Sequence, residues 1–146
     1  MNAHIHQRAA AAYGQAAQTI PPLRQIVMLY EGAILRLGEA RQAIAEGRIE
    51  DRHRATTKAA AIIDALHGCL DFERGGEVAT HLDRFYTYVS FRMRQIDIRN
   101  DASICDELIG LLGEMRKSWA ALEQGNGSLP PAPKTPPAPR PQLGAG

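Results

Sequence analysis

Five histidines, His4, His6, His53, His67 and His81, are the residues through which this chain could do metal or acid–base chemistry. Glu50 and His53 form a single E-x-x-H pair. A di-metal carboxylate bundle needs two such pairs and two further carboxylates, all projecting inward from mid-helix. Glu50 instead falls where a helix begins, and an acid is placed there by the helix dipole alone. His4 and His6 lie near the N-terminus and could bind only stray metal. Glu77 and His81 are one turn apart and read as a solvated helix-face pair.

His67 is followed by Gly68, as in bundles that carry a phosphoryl-accepting histidine, but Leu70 stands where those bundles have a lysine. Cys69 and Cys105 lie on or beside apolar stripes and read as buried structural thiols. Neither has a neighbouring base that would activate it. Gly75-Gly76 lacks the preceding strand and the Gly-Lys-Ser/Thr of a phosphate loop. It reads as the cap and tight turn between two helices. Arg92, Arg94 and Arg99 are interrupted by Asp97 and Asp101, which gives a salt-bridged face; at an interface such arginines pair with partner carboxylates. No catalytic constellation emerges. The chain is expected to be no enzyme, with no catalytic residue, no cofactor and no metal.

Composition sets the scaffold. The chain has 146 residues, a net charge of +1 and two cysteines. Near-neutrality offers no electrostatic case for nucleic acid or for an anionic membrane surface. No apolar run approaches the ~20 residues that span a bilayer. Met1 to Gln18 has no continuous apolar core of an export signal, so a cytoplasmic location is expected. Twenty-three residues are alanine, and no proline interrupts the chain between Pro22 and Pro130. These features point to an all-α fold.

Four amphipathic helices can be read. The first opens at Pro21-Pro22, runs through Leu23, Ile26, Val27, Tyr30, Ala33, Leu37, Ala40 and Ile44, and stops at Gly47. The second opens near Glu50-Asp51 and carries Ala55, Ala59, Ile62, Ile63, Leu66, Cys69 and Leu70. The third follows Gly75-Gly76, with Val78, Leu82, Phe85, Val89, Met93 and Ile96 on one face, and ends near Asn100. Asp101 or Ser103 caps the fourth, whose stripe includes Leu108, Leu112, Met115, Trp119 and Leu122. Short links between long amphipathic helices give an antiparallel four-helix bundle over residues 19–124. Residues 1–18 are expected to form a short helix or flexible capping segment. Residues 125–146 hold seven prolines and four glycines and read as a disordered Pro-rich tail.

Two helices carry apolar residues beyond one stripe. Met28, Leu29 and Leu35 are surplus on the first; Tyr86, Tyr88, Phe91 and Ile98 are surplus on the third. Large exposed apolar patches are uncommon on soluble monomers. The N-terminal segment, a second copy of the chain or a partner helix in a groove could each cover them.

Two motifs give this pattern a family. Ala12-Tyr13-Gly14-Gln15 precedes Pro22, and Val27-Met28-Leu29-Tyr30-Glu31-Gly32-Ala33-Ile34 follows. Leu70-Asp71-Phe72-Glu73-Arg74-Gly75-Gly76-Glu77-Val78-Ala79 comes later, then Tyr86, Leu111-Leu112 and Trp119. In order and spacing, residues 10–122 resemble the flagellar export chaperones of the FliS family. Gln25 departs from the family's apolar preference, and the Pro-rich tail lies outside its core.

The resemblance implies a non-enzymatic cytosolic chaperone. It would bind the disordered C-terminal region of flagellin, prevent premature polymerisation, and deliver the subunit to the flagellar type III export gate. Expected groove residues are Ile26, Met28, Tyr30, Ile34, Tyr86, Tyr88 and Phe91, each with a competing role as plain core. Tyr13 falls on the segment that the resemblance links to export-gate docking and to covering a groove. The expected partners are flagellin and an export-gate component, with no nucleic acid and no membrane insertion, the chain itself being monomer or homodimer. The alternatives are a general helical adaptor or self-associating bundle, or a phosphotransfer or metal-binding bundle.

Overall fold

A computed structural model describes residues 9, 11–13 and 22–125. Among these residues there are four long α-helices and no strand: α1 (Pro22–Ala45), α2 (Ile49–Gly68), α3 (Phe72–Arg99) and α4 (Ala102–Glu123). The fold class is therefore all-α. The Pro-rich tail after Gly125 and most of the N-terminal segment fall outside the described residues. No helix among those described is long and apolar enough to cross a membrane.

Each boundary has a local cause. Pro22 opens α1 with a fixed φ and no N–H to leave unpaired. Gly47 follows its end with a φ of 70°. Asp101 caps α4, its carboxylate accepting from the Ser103 N–H. Asn100 closes α3 in the left-handed region, which asparagine tolerates, and its side chain accepts from Arg52 of α2 at 2.7 Å. Arg52 also donates to Asp97 at 3.0 Å, so a nearly buried guanidinium ties α2 to the end of α3.

One boundary departs from the sequence reading. Gly75-Gly76 does not form the turn between α2 and α3. That turn is Cys69–Asp71, and Asp71 caps α3 by accepting from the Arg74 N–H at 3.0 Å. The two glycines lie inside α3, where Gly76 kinks it with φ 51° and ψ −126°. A side chain at Gly76 would cost about 1–3 kcal/mol of backbone strain. Cys69 also departs: its place in the turn leaves it exposed, while Cys105 is buried as expected.

Ion pairs give the register. Arg24 meets Glu123, Glu31 meets Arg116, and Arg41 meets Asp106. Seven residues up α1 match seven down α4, and ten further match ten, so the two helices run antiparallel in step. His67–Asp83 and Arg52–Asp97 set α2 antiparallel to α3 in the same way. α1 packs between α2 and α4, and α3 closes the ring on the other side. α1 and α3 thus stand on a diagonal, with the centre filled by Tyr30, Leu37, Ile63, Leu66, Tyr86, Met93, Leu108, Leu112 and Trp119.

Candidate partner-binding surface

Two features distinguish this bundle from a plain one: a tyrosine cluster under the N-terminal turn, and apolar side chains on the outward faces of α1 and α3.

Ala9 and Ala11 are helical, and Ala12-Tyr13 make a turn that seats on the start of α3. The Asp71 N–H donates to the Ala12 carbonyl at 2.7 Å. Ala12 fills the space beside Gly75 so closely that a Cβ there would lie 2.8 Å from the Ala12 Cα. This close approach, rather than a turn, explains the first glycine of the pair. The Tyr13 ring meets Trp119 edge-on, centroids 5.8 Å apart at 62°. Its hydroxyl hydrogen-bonds the Tyr86 hydroxyl, which in turn shares a 2.8 Å bond with Tyr30. Three phenols from the N-terminal turn, α3 and α1 therefore meet across the diagonal of the bundle. The ring of His67 lies 5.8 Å from that of Tyr86, and its Nε2 is held by Asp83 at 2.6 Å. His67 is thereby part of an α2–α3 tie.

Burial drives the Tyr13 and Tyr86 hydroxyls well above the ordinary phenol range. It does the same to Tyr30, where the hydrogen bond with Tyr86 offsets only part of the effect. A phenol favoured neutral in the fold stabilises it fully below the unfolded value near pH 10, and ceases to as pH rises beyond it. Stability is therefore expected to hold to about pH 10 and then fall. The two fully buried phenols together contribute a slope of roughly 2–3 kcal/mol per pH unit. Urea unfolding between pH 8 and 12, with tyrosinate absorbance at 295 nm, checks this. Ionisation of all four tyrosines near pH 10 in a still-folded chain would contradict it.

The expected groove residues do not assemble into one groove. Ile26, Tyr30 and Tyr86 are core, with exposures of 3%, 0% and 0%. Tyr86 was read as surplus apolar surface; Tyr13 covers it and Tyr30 reaches it, so it is interior. Ile34 packs partly buried against the core toward α4. Met28 and Leu35 stand exposed on the face of α1 opposite its buried stripe, and Leu29, about 100° round the helix from Met28, is exposed at the edge of that stripe. Phe91 and Tyr88 are half-buried on the outer side of α3, with Ile98 beyond them at 79% exposure. Because α1 and α3 are diagonal, these two apolar strips face away from each other. Phe72, half-exposed in the first turn of α3, was not singled out in sequence because it sits between the charged residues Asp71 and Glu73.

His53 Nδ1 lies 2.9 Å from Asp97, and no group of three potential metal-ligating side chains occurs among the described residues. Burial pushes the Cys105 thiol up to about 11, away from nucleophilic character.

Residues 5–126 match the family model described as flagellar protein FliS. The flagellar secretion chaperone FliSB of Pseudomonas aeruginosa is 40% identical over 98 residues, covering 67% of this chain and 78% of the relative. The flagellar secretion chaperone FliS of Salmonella typhimurium is 37% identical over 116 residues, covering 79% and 86%. The FliS of Bacillus subtilis is 30% identical over 114 residues, covering 77% and 84%.

Proposed function

The chain belongs to the FliS family of flagellar proteins, and from that premise we propose that it is a cytosolic chaperone for the disordered C-terminal region of flagellin. It keeps that region from polymerising and carries the subunit to the flagellar type III export gate. It works by binding alone, without catalysis.

The observation that supports this reading is the pair of outward apolar strips. Met28 and Leu35 on α1, and Tyr88, Phe91 and Ile98 on α3, lie on opposite sides of a well-packed bundle. A globular partner would cover one side. A long unfolded segment wraps around and reaches both, ordering as it does so. Coupled folding of this kind consumes about 2–5 kcal/mol or more of the interaction energy. Such a client must therefore bury a large area, which two separated strips provide.

The N-terminal turn adds a second element. Tyr13 covers Tyr86 and Trp119 in the free chain. When the turn lifts, that apolar seat becomes available to a client side chain, and the released segment is free to meet the export gate. Residues 1–18 thus act as a docking and capping segment and residues 19–124 as the chaperone domain.

Calorimetric titration with the C-terminal peptide of the same organism's flagellin tests the client. One-to-one saturable binding with a negative heat-capacity change is expected. A soluble peptide that fails to bind the folded chain would overturn the assignment and leave a self-associating bundle in its place.

A further inference from the structure

The two apolar strips differ in charge. On α1, the charged neighbours of Met28 and Leu35 are neutralised: Arg24 pairs with Glu123, Glu31 with Arg116, and Arg36 with Glu39. On α3 they are not. At 100° per residue, Arg84, Phe91 and Ile98 follow one another along a single outward line, with Tyr88 and Arg94 on its two sides. Arg84 and Arg94 are exposed and form no ion pair or hydrogen bond among the described residues.

The acids close to this line are otherwise engaged, Asp64 excepted. Asp83 is held by His67, and Asp97 by Arg52 and His53. Glu107 is held by Arg92 and by the Tyr88 hydroxyl. Asp64 lines the same α2–α3 recess as Arg94 without forming an ion pair. Glu77 lies two turns before Arg84. Between Arg84 and Ile98 the outward face therefore presents apolar side chains and two guanidinium groups that form no ion pair among the described residues, over about 21 Å of helix.

We propose that the outward face of α3 seats an acidic amphipathic helix of the client, its apolar side chains on Phe91 and Ile98 and its carboxylates on Arg84 and Arg94. The α1 strip, already neutral, takes the uncharged apolar part. The charge difference thereby fixes which part of the client lies on which side, since an unpaired guanidinium presents a planar donor fork that matches a carboxylate. The complementary arrangement sets register and on-rate more than total affinity.

This inference rests on the client reading, and its test separates the two. The full chain and the double variant Arg84→Glu/Arg94→Glu are titrated with the flagellin C-terminal peptide at about 50 mM and 500 mM NaCl. The variant is expected to bind about tenfold more weakly at low salt, and within about twofold of the parent at high salt. A peptide with its acidic residues changed to lysine is expected to recover affinity for the variant and to lose it for the parent. Parent and variant binding the natural peptide equally at low salt would overturn the charge assignment while leaving the client intact. No binding by the parent would overturn both. If the free chain were a dimer that Phe91→Glu dissociates without weakening the peptide, the α3 face would belong to a second copy and the inference would fail.

Discussion

Replacing Trp119 with alanine is expected to destabilise the bundle by about 3–5 kcal/mol, the range for emptying a large aromatic site. For a domain of this size that lowers the melting temperature by roughly 10–25 °C. Trp119 is fully buried, its ring supports Tyr13 edge-on, and it belongs to the cluster that joins all four helices. Its indole N–H makes no hydrogen bond of normal geometry among the described residues, although it lies toward the Tyr30 hydroxyl, so packing is its main contribution. Leu35→Ala on the exposed side of α1 serves as the control and should change stability by less than about 0.5 kcal/mol. Thermal and urea unfolding measure both. A Trp119→Ala loss below 1 kcal/mol would mean that the centre of the bundle lies elsewhere.

The second large effect is expected from Tyr13→Ala. This change removes the hydroxyl that bonds Tyr86 and the ring that covers Trp119, while leaving every residue of the four helices in place. Trp119 is the sole tryptophan, so its fluorescence reports the cover directly. Emission should shift to the red, and stability should fall by about 1–3 kcal/mol from the lost burial and the lost Tyr13–Tyr86 hydrogen bond, Tyr86 keeping its bond to Tyr30. Affinity for the flagellin peptide should stay level or rise, because no cap must be displaced, whereas delivery to the export apparatus should suffer. Unchanged emission would show that Tyr13 does not cover the tryptophan. Weakened peptide binding with the bundle intact would contradict the capping role.

These two residues also mark how far the sequence can be read. Trp119 falls on the apolar stripe of the fourth helix, and a stripe is a local property: 3.6 residues per turn brings Leu108, Leu112, Met115, Trp119 and Leu122 to one side whatever lies opposite. Helix number and helix type were legible for the same reason, and local residue chemistry marked the end of α3 near Asn100 and a cap of α4 at Asp101 or Ser103, of which the structure has Asp101. So was the family, because its motifs are runs of adjacent residues. Tyr86 was not legible as core. It sits beyond the simple stripe, and its burial comes from Tyr13, 73 positions away, and Tyr30, 56 positions away.

The glycine pair makes the same division. Composition places glycines where backbone freedom is needed, yet it does not distinguish a turn from a kink. Asp71 capping Arg74 moved the turn upstream, and the approach of Ala12 decided what Gly75 is for. The candidate surface followed the same rule. Apolar surplus on α1 and α3 could be counted from the sequence, and so could the arginines. Which arginines stay unpaired depends on neighbours supplied by other helices: α4 neutralises α1 through Glu123 and Arg116, while His67, Arg52 and Arg92 occupy the acids nearest the α3 face. Local periodicity thus determined the helices and their apolar stripes. The antiparallel register decided what remains exposed and charged, because burial and ion pairing are relations between segments far apart in the chain.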